Sequence, residues 1–182
     1  MKKLLPILMI ATIFACKEPE PRRPVQVKSG SFLKETVERN KQILAAEEAL
    51  IANIIAKDTA NQYRESASGF WYYYEKQNDT SAYTPRPKDG VLLSYNVLTL
   101  ANDTIYSADD IGLVPYVVDK QQLFPGLRNA VKLLKEGERA TFLFPSSLGY
   151  GYHGDDDKIA PLTPLKSTVE ILEIKKHKDS IN

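Results

Sequence analysis

The spacing of apolar positions changes several times along this chain, and each change predicts a different element. Residues 4–14 form an apolar run of 11 residues behind Lys2 and Lys3. That is too short for a bilayer core of ~30 Å, which needs ~20 residues. It fits a removable export signal over residues 1–15. Residues 16–30 are rich in proline and charge and cannot bury a core, so they predict an extended tether. Beyond it the period becomes helical. At 100° steps Phe32, Leu33, Val37, Ile43, Leu44, Leu50, Ile51, Ile54 and Ile55 fall within an arc of roughly 140°. This predicts one amphipathic helix over 31–58. Thr36, Asn40 and Glu47 interrupt the arc, so it is not a clean coiled-coil seam. Such a helix either packs on its own domain or serves as the contact for a homodimer or complex.

Residues 61–68 carry no apolar period and close a helix-and-linker segment over 31–67. From 68 to 176 the pattern is mostly extended. FWYYYEK (70–76), VLLSYNVLTL (91–100), 104–107, 114–119, RATFLF (139–144) and STVEILEIK (167–175) predict strands. Turn-rich TPRPKDG (84–90) and ANDT (101–104) separate the early ones. Leu127, Val131 and Leu134 stand at helical spacing and predict a short helix over 127–135, stopped by Gly137. Residues 145–164 form a long loop, and 177–182 a polar tail. The fold class is α+β, an antiparallel β-sheet with one short helix inserted, preceded by the amphipathic helix.

Composition narrows the chemistry. The 182 residues carry 24 Lys+Arg against 23 Asp+Glu, a net charge of +1. No positive surplus is available to neutralise phosphates, so no nucleic-acid partner is expected. Two histidines and one cysteine leave too few ligands for a Cys₂His₂ or Cys₄ zinc site. The lone cysteine is Cys16, and IFAC (13–16) resembles a bacterial lipobox. In such signals the cysteine becomes the first mature residue and carries acyl chains. Each buried CH₂ contributes ~0.8 kcal/mol to an anchor. Cys16 is therefore the expected lipidation site, with the protein held in the cell envelope facing the periplasm, on the outer membrane. Asp155, Asp156 and Asp157 beside His153 read as a solvated acidic loop, because consecutive carboxylates lack the spacing of a calcium loop. No metal site and no cofactor is expected.

Taken in order, several stretches resemble the FK506-binding-protein (FKBP) type peptidyl-prolyl cis-trans isomerases. They are VLLSYN (91–96), LANDTIYS (100–107), LFPGLRNAV (123–131), EGERA (136–140), FPSSLGYG (144–151) and IAP (159–161). The resemblance covers residues 68–176. With the export signal and leading helix it narrows to the gliding-motility-associated FKBP-like lipoproteins of Bacteroidetes. It implies an FKBP-like twisted sheet wrapped on the short helix, and proline-containing client polypeptides as partners.

Isomerising an X–Pro bond means twisting an amide out of resonance, which takes tens to hundreds of seconds unaided. No nucleophile or metal is needed. A dry apolar pocket favours the twisted, less dipolar amide, and a donor can hold a neighbouring carbonyl; this is differential binding of the transition state. The resemblance implies a site of Tyr95, Ile105, Tyr116, Leu123, Phe124, Leu127, Tyr150 and Ile159. Tyr95 and Tyr116 would form walls, and Leu123 and Phe124 one side, with the Phe124 N–H as donor. The Tyr150 hydroxyl would be a second donor, and Ile159 would close the rim. Three positions depart from the family pattern. Leu127 stands for the usual floor tryptophan, Tyr106 for an aspartate, and Ser167 for a phenylalanine wall. These departures predict weak catalysis or altered substrate preference, and Trp71 is not assigned to the floor from sequence.

Overall fold

The computed structural model describes residues 29–178. The chain divides into two compact units, Met1–Val37 and Glu38–Asn182. The expected export signal and most of the expected tether, including Cys16, lie outside the described residues, as does the end of the tail. Among the described residues no helix is long and apolar enough to cross a membrane.

Helix α1 runs over Ser29–Lys57, close to the interval predicted. Only part of its apolar arc packs, through Ile51 with Ile43, Ile54 and Ile55 half-buried. Leu44 and Leu50 are exposed, while Ile51 and the acidic Glu47 are buried. A polar position in the arc is thus among those that are buried, for a reason that emerges at the pocket loop.

The strands follow as β1 (Arg64–Glu65), β2 (Trp71–Lys76), β3 (Gly90–Tyr95), β4 (Val97–Thr99), β5 (Thr104–Tyr106), β6 (Val114–Val117), β7 (Arg139–Phe144) and β8 (Leu165–Lys175). They make one antiparallel sheet in the order β1-β2-β7-β8-β3-β6, with β4 bridging β8 and β5. The predicted strand over 91–100 is two strands broken at Asn96. There the Asn96 carbonyl accepts from the Ser167 hydroxyl at 2.6 Å, and its side chain accepts from the Thr168 N–H at 2.7 Å. Two helices complete the unit: α2 (Ala108–Ile111) and α3 (Pro125–Val131). Helix α2 was not predicted. It is a single turn closed by a capping box between Ser107 and Asp110, too short for an apolar period to show.

The core lies between the sheet and α3. Leu127, Ala130 and Val131 of α3 share one buried cluster with Val91, Leu93, Phe142, Phe144, Val169 and Ile171. Strand alternation places Leu165, Ser167, Val169 and Ile171 of β8 inward. Each large apolar side chain so buried contributes roughly 1.5–3 kcal/mol. Pro125 occupies the first turn of α3, where its missing N–H has no partner to lose. Helix α3 ends at Val131, short of the predicted 135, because Leu133 and Leu134 N–H bond three residues back and tighten the chain into turns. Gly126 lets α3 approach β7: a Cβ there would lie 2.5 Å from the Phe144 ring and 2.9 Å from the Leu148 carbonyl oxygen.

Asp89 ties the domain's edge together. Its buried carboxylate accepts from the Tyr83 hydroxyl at 2.6 Å, the Arg86 N–H at 2.8 Å and the His177 N–H at 2.7 Å. Burial alone would raise its pKa, but these hydrogen bonds outweigh it and hold the carboxyl below the usual carboxylate range. A depressed folded-state pKa contributes stability that is complete above the unfolded-state value and lost as pH falls through the folded one. Acid unfolding followed by circular dichroism should therefore be steeper in the native chain below about pH 4 than in Asp89→Asn. The variant itself should lose about 2 kcal/mol at neutral pH.

Candidate active site

Seven expected residues converge around the start of α3. Phe124 caps that helix in an extended conformation. Its ring meets Phe144 edge-on at 5.5 Å and Tyr150 at 5.5 Å and 41°. Leu127 is fully buried beneath, and Ile159 is 3% exposed. Tyr95, Ile105, Leu123 and Tyr150 are half-buried and pack against the same cluster. Tyr95 ends β3, one residue before the Asn96 break, and Ile105 lies in β5.

The polar groups here are donors without partners. Among the described residues no acceptor engages the Phe124 N–H, and the Tyr95 and Tyr150 hydroxyls, both reaching the surface, make no hydrogen bond within the protein. Burial pushes the Tyr95 phenol up. Burial, then the neighbouring Tyr95 and the Asp155 charge, pushes Tyr150 up. Both stay protonated throughout the neutral range, so both remain able to donate. An apolar floor ringed by unpaired donors can take a proline ring and hold a carbonyl beside it.

Tyr116 belongs to the same buried cluster but also reaches a second surface, and Ser167 has a different use. Tyr116 is 2% exposed, and its hydroxyl accepts from the Asp119 N–H at 3.4 Å. It borders a groove of about 190 Å³ with Val91, Pro115, Val117 and Gln121, which no other expected site residue lines. Ser167 is fully buried and spends its hydroxyl on the Asn96 carbonyl. It is a pin of the β3–β4 break rather than a shortened pocket wall. Trp71 lies on the opposite face of β2 from Tyr72 and Tyr74, which pack on the core, so it does not supply the missing floor.

The long loop is organised by a residue that its sequence pattern left in solvent. Asp155 accepts from the Tyr106 hydroxyl at 2.5 Å and, through its other oxygen, from the N–H groups of Ile159 at 2.7 Å and Asp157 at 3.0 Å. Partial burial would raise its pKa, but these donors hold it below its ordinary value. The Asp155 hydrogen bond, with the nearby Asp155 and Asp157 charges, pushes the Tyr106 phenol up. Tyr106, at the position where the family pattern carries an aspartate, thus engages a loop carboxylate through its hydroxyl. The signal was an aspartate whose side chain can bond backbone two and four residues on. Gly154 completes the loop at φ +73°, where a Cβ would lie 2.1 Å from the Ile159 carbonyl oxygen. Among the described residues no group of three His, Cys, Asp or Glu is arranged to hold a metal ion.

A sequence model of the FKBP-type peptidyl-prolyl cis-trans isomerases matches residues 82–172, half of the chain. The chain belongs to the FKBP-type isomerase family. It is similar to the probable FKBP-type peptidyl-prolyl cis-trans isomerase FkpA of Neisseria meningitidis, with 33% identity over 127 residues, 70% of this chain and 44% of that protein. The macrophage infectivity potentiator of Trypanosoma cruzi is 29% identical over 76 residues, 42% of this chain and 39% of that protein. The chain thus spans less than half the length of these curated relatives. In fold it resembles a peptidyl-prolyl cis-trans isomerase of Pseudomonas syringae (TM-score 0.60, 21% identity, 75% of this chain and 96% of that one). It also resembles FkpA of Escherichia coli (TM-score 0.56, 19% identity, 96% of this chain and 81% of that one). The FKBP-like fold expected from the sequence, with its antiparallel sheet, short helix and leading helix, is the fold observed.

If Tyr106 holds the loop of this FKBP domain through Asp155, Tyr106→Phe should speed amide exchange at Asp157 and Ile159 while leaving β7 and β8 unchanged. Exchange mass spectrometry would show it; uniform acceleration across the domain would mean that Tyr106 contributes only general stability.

Proposed function

We propose that this protein catalyses cis–trans rotation of X–Pro bonds in extracytoplasmic client polypeptides, from a lipid anchor at Cys16. The observation that carries the catalytic reading is the set of unpaired donors, Phe124 N–H and the Tyr150 hydroxyl, beside an apolar floor at Leu127. A prolyl ring entering over Leu127 leaves water. Its carbonyl neighbours then meet donors that need no rearrangement, and the twisting amide loses dipole in a site that favours that loss. Leucine offers less stacking area than an indole, which supports modest rates.

The anchor rests on the lipobox-like IFAC and the proline-rich tether. The likeness to gliding-motility lipoproteins extends the reading to clients of a motility or secretion apparatus. The exposed Leu44 and Leu50 of α1 support a second copy or an assembly partner on that helix. A second reading, an FKBP-fold chaperone that binds without catalysing, is favoured by the leucine floor. It predicts that suppression of client aggregation survives Tyr150→Phe.

Exchange NMR on an X–Pro tetrapeptide should show acceleration. Tyr150→Phe should lower kcat/KM about tenfold, the equivalent of one lost hydrogen bond. The native rate should be flat between about pH 6 and 9, because the phenols titrate above their ordinary value near 10. Absence of acceleration at high protein concentration would refute the enzymatic reading. Cys16→Ser, expressed with its signal in the native host, should move the protein from the membrane to the soluble fraction of the envelope; retention on the membrane would refute the anchor.

A further inference from the structure

Ninety-nine positions separate Glu47 from Ser146, yet the two form a buried, two-pronged contact. The Glu47 carboxylate accepts from the Ser146 N–H at 2.8 Å and from the Ser146 hydroxyl at 2.6 Å. Glu47 is 8% and Ser146 2% exposed. Ser146 opens a single 3₁₀ turn, Ser146–Leu148. Its carbonyl accepts from the Gly151 N–H at 2.9 Å, so the turn sets where Tyr150 leaves the backbone. On the other side of Tyr150, the Tyr152 hydroxyl donates to the Asn40 side chain. The Tyr150 segment is therefore held before and after by the same helix, through the polar residues that interrupt the apolar arc of α1.

We propose that Glu47 is a positioning residue for the isomerase pocket: through Ser146 it fixes the turn that aims the Tyr150 hydroxyl at the substrate. This rests on the isomerase reading above. Gly149 and Gly151 flank Tyr150 and offer little resistance to reorientation of their own. Removing the carboxylate leaves the Ser146 N–H and hydroxyl buried without an acceptor, and the turn must shift to find one. A glutamine keeps the contact, since its carbonyl oxygen accepts from the N–H while its amide donates to the hydroxyl oxygen. Helix α1 is thereby coupled to the chemistry, and a partner seated on it would reach the pocket through Glu47.

The experiment compares Glu47→Ala and Glu47→Gln in native and Tyr150→Phe backgrounds, on the full mature chain. Glu47→Ala should lower kcat/KM on an X–Pro peptide about tenfold, and Glu47→Gln should restore most of it. In the Tyr150→Phe background Glu47→Ala should change the rate less than about twofold, because the group it positions is already gone. Amide exchange should quicken at residues 146–151 and not in β8. Equal losses in both backgrounds, or unchanged exchange at 146–151, would overturn the proposal. The exchange result is read whether or not the native protein accelerates isomerisation, so a failure of the isomerase reading is separately visible. Should Glu47→Ala not fold, Asn40→Ala tests the second tether by the same exchange window, where an unchanged rate counts against the proposal.

Discussion

The close approach of α3 to β7 sets the geometry on which the site depends. It is possible because residue 126 has no side chain to put into the 2.5 Å gap beside Phe144. The approach seats Leu127, Ala130 and Val131 in the sheet's hollow. It also brings Phe124, at the mouth of the helix, edge-on against Phe144. Interiors packed at crystal density transmit such a constraint. A helix standing even one methyl group further out would leave the Leu127 floor loose and move the Phe124 N–H away from Tyr150.

From that seat the site is completed by loops, and each loop is held by a carboxylate. Asp155 gathers the Ile159 and Asp157 amides and the Tyr106 hydroxyl. Glu47 gathers both donors of Ser146. Asp89 gathers the donors at the far edge of the domain. In each case a charged acceptor satisfies backbone N–H and hydroxyl donors together, the strong end of the hydrogen-bond range. The arrangement leaves the pocket's own donors, on Tyr95, Phe124 and Tyr150, without a partner in the protein. Order in the scaffold and availability in the pocket are two consequences of the same pairing.

Much of this could be read in the sequence, where periodicity and breakers agreed. Strand β7 fell at its predicted bounds, and α3 was marked by helical spacing, though it starts at Pro125, two residues before the predicted 127. What could not be read were contacts between distant segments. The break at Asn96 depends on Ser167, 71 positions away, so VLLSYNVLTL looked like one strand. Tyr116, expected as a wall from the resemblance, is buried by the alternation along β6 in the same cluster as Phe124 and Leu127. The helix arc of α1 was drawn correctly but read for its apolar members. Its buried side includes Glu47 beside the arc member Ile51, because a carboxylate with two donors to satisfy can be buried as firmly as a leucine.

The three departures from the family pattern are not equivalent. Ser167 carries a structural hydroxyl, so restoring an aromatic there would cost the Asn96 hydrogen bond and push a ring into a filled core. Tyr106 extends from its strand to a loop carboxylate, which keeps negative charge at the rim and makes it depend on loop order. Leu127 alone changes the packing beneath the site. Being fully buried, it has no spare volume around it for an indole without displacement of its neighbours. The smaller floor is therefore built into the packing of this domain, and its consequence for rate follows from the core rather than from a missing catalytic group.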